Sequence, residues 1–130
     1  MLNQSIKKGF YCKSKLSMVD SLKKVLRNLD INKIRQLCAE HKVEWTIHVS
    51  KRLLQRSISA FEVEVSISNG IIIEDYPDDY PYPSCLLLGK TVDDKVLHIV
   101  CAINNDMLWI ITAYEPNLME WEADYRTRKD

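Results

Sequence analysis

Hydrophobic positions along the chain change their period once, near residue 70. Before that point, Met1 to Leu16 has no period at all: it is polar, carries four lysines and is expected to be a flexible basic extension, with Met18 an alternative start. From Ser17 a helical period sets in, and residues 17–130 are expected to form one domain. Ser17 and Asp20 make an N-terminal capping signature, and Leu22, Val25, Leu26 and Leu29 recur at i, i+3, i+4 and i+7. Asp30 can cap a second helix with Ile31, Ile34 and Cys38 on one face. Lys42–Trp45 is short and mixed. Thr46 then stands where it can cap a helix through Arg56. Ser59-Ala60-Phe61-Glu62 reads as a capping box, and Gly70 supplies a stop about three turns later.

After Gly70 the apolar residues alternate or run continuously. Ile71-Ile72-Ile73 opens a first strand. Residues 75–83 read Asp-Tyr-Pro-Asp-Asp-Tyr-Pro-Tyr-Pro, and three prolines forbid a regular interior strand there. Strands are expected at Cys85–Lys90, Val96–Ile103 and Leu108–Tyr114, joined by hairpin-length linkers at Thr91–Lys95 and Asn104–Asp106. Pro116 stops the last one. Trp121–Lys129 is then a polar tail with two aromatic anchors. The expected fold is α+β, with N-terminal helices packed on a four-stranded antiparallel sheet.

Composition excludes more than it assigns. No apolar run approaches the roughly 18 residues of a membrane span, and no signal-peptide segment follows the N-terminus, so a cytoplasmic protein is expected. Cys12, Cys38, Cys85 and Cys101 lack the close spacing of zinc or redox motifs and are expected to be free thiols. The net charge of zero hides an asymmetry: residues 1–56 hold 13 Lys/Arg and 4 Asp/Glu, whereas residues 57–130 hold 5 and 14. A basic half suits a polyanion, or it neutralises an acidic sheet half. Glycine-rich phosphate loops, dinucleotide fingerprints, nucleophile elbows and zincin pairs are absent from the sequence, so no cofactor and no metal are expected.

The candidate chemistry is polar groups in apolar settings. His48, Arg52 and Arg56 are four apart and form one helical stripe, either a solvated face or an anion site. His98 sits inside Val96-Leu97-His98-Ile99-Val100, as a hydrogen-bonded core residue or as the polar member of a pocket. Val96, His98 and Val100 share a face, as do Leu108, Ile110, Thr112 and Tyr114. If Ile103 pairs with Met107 across a three-residue loop, His98 lies opposite Thr112 and Val96 opposite Tyr114. A loop of even length would place an apolar residue opposite His98. The acidic, tyrosine-rich segment Glu74–Tyr82 is expected to be an ordered loop whose tyrosines cover the sheet edge.

Taken in order, several residue groups form a recognisable set. They are Trp45-Thr46-x-His48, Arg52, Arg56-x-Ile58, Gly70-x-Ile72-Ile73-Glu74-x-Tyr76, Tyr82-Pro83-Ser84-Cys85-Leu86, Leu97-His98-x-Val100, Ile111-Thr112-Ala113-Tyr114-x-Pro116 and Trp121-x-x-Asp124-x-Arg126-x-Arg128. The set resembles domain-of-unknown-function family 4258 over roughly residues 30–128. That family is similar in pattern to RelE-like toxins, which share a fold with barnase and EndoU-type ribonucleases. The resemblance implies a metal-free RNA-cleaving site on an exposed sheet face and a cognate antitoxin of zinc-finger or helix-turn-helix type.

On this resemblance His98 is a general acid or base, since an ordinary histidine titrates near neutrality. His48 is a second proton-transfer group or a phosphate contact. Arg52 and Arg56 hold the phosphate, and Thr112 and Tyr114 orient the RNA. The alternative is a non-catalytic protein-interaction module on the same fold, working through the acidic tyrosine-rich loop.

Overall fold

The computed structural model describes residues 29–130. The extension, Cys12 and the capping signature expected around Ser17 lie outside the described residues. Those residues form three helices and a five-stranded mixed sheet: α1 Ile31–Ala39, β1 Val43–Glu44, α2 Ile47–Gln55, α3 Ala60–Ser68, β2 Ile71–Tyr76, β3 Ser84–Lys90, β4 Val96–Asn104 and β5 Met107–Tyr114. All three helices start at the residues whose side chains can replace a missing backbone partner. Asp30 accepts from the Asn32 amide at 2.9 Å and Thr46 from the Val49 amide at 3.1 Å. Ser59 and Glu62 complete the reciprocal box at 2.9 and 3.0 Å. Gly70 follows the Asn69 C-cap but keeps a negative φ. Its role is close packing: a Cβ there would sit 2.7 Å from the Ser66 carbonyl oxygen.

Strand order is β1-β5-β4-β3-β2, antiparallel except that β1 runs parallel to β5. The expectation of four antiparallel strands is therefore corrected. Two residues, Val43 and Glu44, are too few to show a period, and their pairing to Leu108 and Trp109 is set by the α1–α2 connection passing the β5 edge. Strand β2 continues through Asp75 to Tyr76, two residues into the proline-bearing segment, because it is an edge strand. Of the three tyrosines in that segment only Tyr76 covers the sheet. Tyr80 is 88% exposed, and Tyr82 is exposed as well.

Helices pack on one face of the sheet. Ile34, Leu37, Val49, Leu53, Val63 and Ile67 meet Leu87, Leu97, Ile99, Leu108 and Ile110 in a single apolar cluster. The contact between α3 and β3 is so close that only glycine fits at position 89, where a Cβ would lie 2.0 Å from the Ser66 carbonyl oxygen. Cys38, Cys85 and Cys101 are free and buried in this layer, with the Cys85 and Cys101 sulfurs 3.9 Å apart across paired strands.

The other face is ordered by a bulge. Asn105 and Asp106 form a two-residue turn, both with positive φ, as this type of tight hairpin requires; Asn and Asp tolerate that conformation. A two-residue turn alone would pair His98 with Ala113. Instead the register shifts between Val100 and Cys101, and Ile111 is the extra residue on β5. His98 therefore faces Tyr114, and Val100 faces Thr112. The expected pairings of His98 with Thr112 and Val96 with Tyr114 are displaced by two residues. The single face expected for Leu108, Ile110, Thr112 and Tyr114 is split: Leu108 and Ile110 join the helix-side cluster, while Thr112 and Tyr114 follow the register of Val100 and His98.

Gly89→Ala should lower unfolding free energy by about 1–3 kcal/mol through overpacking, or prevent folding altogether. Chemical denaturation of the variant beside wild type reads this, and an unchanged midpoint would refute the close α3–β3 contact.

Candidate functional site

The second sheet face is roofed by the C-terminal segment. After Pro116 the chain turns at Asn117–Glu120 and folds back on itself, with backbone bonds from Glu122 to Thr127 (2.8 Å) and from Lys129 to Glu120 (2.9 Å). The Asp124 carboxylate closes the tip, accepting from the Arg126 and Thr127 amides at 2.9 and 3.0 Å. This strap lowers Trp121 and Arg128 onto the sheet. Trp121 is buried with Tyr76, Leu86 and Val100. Arg128 lies over the Trp121 ring at 4.5 Å and grips Glu74 with two parallel hydrogen bonds, Nε to Oε2 at 2.9 Å and Nη2 to Oε1 at 3.1 Å. The Tyr76 hydroxyl donates a short hydrogen bond to the same Glu74 carboxylate.

His98 lies at the centre of this layer and is fully buried. Its Nε2 is 2.7 Å from the Tyr125 carbonyl oxygen, which can only accept, so Nε2 carries the proton. Nδ1 is then the acceptor for the Tyr114 hydroxyl at 3.4 Å. Trp121 packs edge-on against the imidazole, with centroids 4.5 Å apart. Burial disfavours the charged form and lowers the His98 pKa from its ordinary 6.5, while the Tyr125 carbonyl and Glu74 oppose that fall. Burial also pushes the Tyr114 hydroxyl up to about 12, with Arg128 opposing the rise, so at neutral pH it is a donor.

Beyond Trp109 the outer edge of β5 has no strand partner among the described residues, and Arg56 occupies it. Ser57 turns the chain with φ 57° after α2, and the Arg56 Nη1 reaches the Thr112 hydroxyl at 3.0 Å and the Ala113 carbonyl at 2.8 Å. Burial and the neighbouring Arg52 both weaken its hold on its proton, while Tyr114 acts the other way. Even so, a guanidinium remains charged. Arg56–Thr112 and Tyr114–His98 are thus hydrogen-bonded pairs, and Arg52 and Tyr114 lie near enough to Arg56 to act on it electrostatically. His48 is exposed on the same stripe of α2, but two turns before Arg56, about 12 Å along the axis by helical rise.

The sheet face implied by the resemblance is not open at His98, since the strap covers it. Sequence reasoning marked the tail as anchored by aromatics but gave its residues no role at the site. Glu74, Trp121, Tyr125 and Arg128 build the surroundings of His98. The available signal was a tryptophan and an arginine in a polar tail, set against a glutamate inside an apolar strand. Among the described residues, no group of three or more His, Cys, Asp or Glu side chains gathers as metal ligands would. No helix of the described residues is long and apolar enough to cross a membrane.

Fold and site together define an α+β domain with helices on one sheet face, a C-terminal strap on the other and an arginine-flanked strand edge. Residues 45–115 match the family described as domain of unknown function DUF4258, more than half of the chain, and the protein belongs to that family. Comparison with curated proteins and with solved structures finds no match.

His98 gives the fold a pH dependence of defined sign. Its folded-state pKa lies below 6.5, so the unfolded state takes up a proton first as pH falls. Stability is complete above about pH 6.5 and should decline below it. Thermal unfolding between pH 7.5 and 5 should show that decline in wild type and a flatter profile in His98→Gln. Parallel profiles would refute the assignment to His98.

Proposed function

We propose that the protein is the toxin of a toxin–antitoxin pair and cleaves RNA without a metal, on a RelE-like plan. The observation that carries this reading is the Arg56 guanidinium held at Thr112 and Ala113 beside Arg52 and the protonated Tyr114 hydroxyl. Two guanidiniums at a strand edge suit a phosphodiester, whose oxygens accept from both.

In the reaction a ribose 2′-oxygen attacks the adjacent phosphorus. A base takes the 2′-hydroxyl proton, the P–O5′ bond breaks, and an acid returns a proton to the leaving 5′-oxygen. The products are a 2′,3′-cyclic phosphate and a 5′-hydroxyl. Arg52 and Arg56 hold the phosphate and donate to its developing charge; Tyr114, whose single O–H proton goes to His98 Nδ1 while the strap is closed, donates to the phosphate only when that bond breaks. His48, exposed on α2, is the proton-transfer group open to solvent, reaching a phosphate held towards the Arg52 end of the stripe. With the strap closed, His98 positions Tyr114; proton transfer by His98 itself requires the strap to lift. The partner is an antitoxin of zinc-finger or helix-turn-helix type. A chain with no net charge binds RNA through local basic surface, which α2 supplies with Lys51, Arg52 and Arg56.

A second reading, the non-catalytic interaction module, is favoured by one observation. Ile47, Leu54 and Phe61 are 77%, 81% and 63% exposed along α2 and α3, an apolar surface suited to a protein partner.

Induced expression followed by RNA analysis separates the two. Wild type should arrest growth and cleave RNA, with His48→Ala and Arg52→Ala each reducing cleavage of purified RNA roughly 10²-fold at unchanged melting temperature. Intact RNA with folded, soluble wild type would contradict the nuclease and leave the module.

A further inference from the structure

A cavity of about 470 Å³ opens on the strap's other side, away from Tyr114. Its volume lies within the range of small-ligand sites. Ile71, Leu88 and Val96 supply its apolar lining, and the strap residues Asp124 and Tyr125 also border it. Lys90 and Asp94 are charged and exposed there, while the Asp124 carboxylate is engaged in the strap turn. Asn69 is fixed by bonds to both Lys90 backbone groups, at 2.9 and 2.8 Å, which ties the end of α3 to this side of the cavity.

The cavity is joined to the candidate site. The carbonyl of Tyr125 holds His98, and Leu88 pairs with His98, which in turn pairs with Tyr114. Two strand spacings separate Leu88 from Tyr114, about 10 Å. The Arg52–Arg56 stripe lies farther out, past the β5 edge that Arg56 occupies, so RNA joining the two sites runs over the strap for more than one nucleotide.

We infer that this cavity takes an unpaired nucleobase of the RNA whose phosphate lies at Arg52 and Arg56. The inference rests on the nuclease reading above and names its base subsite. A free phosphate would meet one lysine and two repelling carboxylates, Asp94 and Asp124, and a wholly apolar group would desolvate Lys90 and Asp94 without satisfying either. A base presents an apolar face to Ile71, Leu88 and Tyr125, and an edge of donors and acceptors to Asp94 and Lys90. Tyr125, at φ 58°, borders the cavity and holds His98 through its backbone carbonyl, so base binding and strap position are linked.

The test uses the full chain and 2′-O-methyl tetranucleotides of each base, which cannot be cleaved because the 2′-oxygen carries no proton. Methyl resonances of Ile71, Leu88 and Val96 should shift and saturate with at least one of them. Ile71→Asp, which sets a carboxylate against the apolar face of the base at a 40% exposed rim position, should weaken that binding roughly tenfold or more. Shifts confined to the Arg52–Arg56 stripe, or unmoved cavity methyls with all four oligomers, would overturn the subsite even if wild type cleaves RNA. Cavity shifts lost in Ile71→Asp, with RNA left intact by wild type, would support the subsite and overturn only the cleavage reading.

Discussion

One extra residue in β5 determines which side chains meet on the second face of this sheet. The Asn105-Asp106 turn and the bulge at Ile111 each move the register by one, and together they place Tyr114 opposite His98. With the turn alone, Ala113 would take that place, Tyr114 would turn towards the helices, and the imidazole would lose its hydroxyl donor. A side-chain period of two makes this unforgiving, because a single-residue slip exchanges the faces of everything beyond it. The bulge lets Leu108 and Ile110 fill the helix-side core while Thr112 and Tyr114 serve the opposite face.

On that face the strap converts a polar layer into a buried one. Glu74 and Arg128 are each less than a fifth exposed, and their bidentate contact neutralises charges that burial would otherwise penalise. Removing Arg128 alone would take the guanidinium from a mostly buried carboxylate that the Tyr76 hydroxyl also holds, a destabilising change. His98 is held neutral at the same layer, with both nitrogens engaged by groups of opposite role, a carbonyl and a hydroxyl. Strap, imidazole and Tyr114 therefore form one hydrogen-bonded unit. Its outlet to solvent is the strand edge where Arg56 sits.

What could be read from the sequence was local chemistry. Asp30, Thr46 and Ser59 announce their helices because each carries a side-chain acceptor at a place where the backbone lacks one. The long apolar strands β3 to β5 and the i, i+4 stripe of α2 were equally legible. The β1–β5 pairing was not, since a two-residue strand has no period. Nor was the Ile111 bulge, because nothing in Ile110-Ile111-Thr112 distinguishes an extra residue from a regular one. The surroundings of His98 depend on Glu74 and Arg128, 54 positions apart. Their contact arises only once a tail without periodicity folds back over the sheet. Helical spacing and strand alternation singled out the polar residues, while the closure above them came from tertiary packing.

The central claim is that His98 is a buried, neutral imidazole whose Nε2 proton is held by the strap and whose Nδ1 faces Tyr114. Imidazole nitrogen NMR across a pH titration observes both directly. The account predicts a single Nε2–H tautomer, slow exchange with solvent and a midpoint below 6.5. A His98 that titrates at or above 6.5, or that populates both tautomers in fast exchange with water, would contradict it.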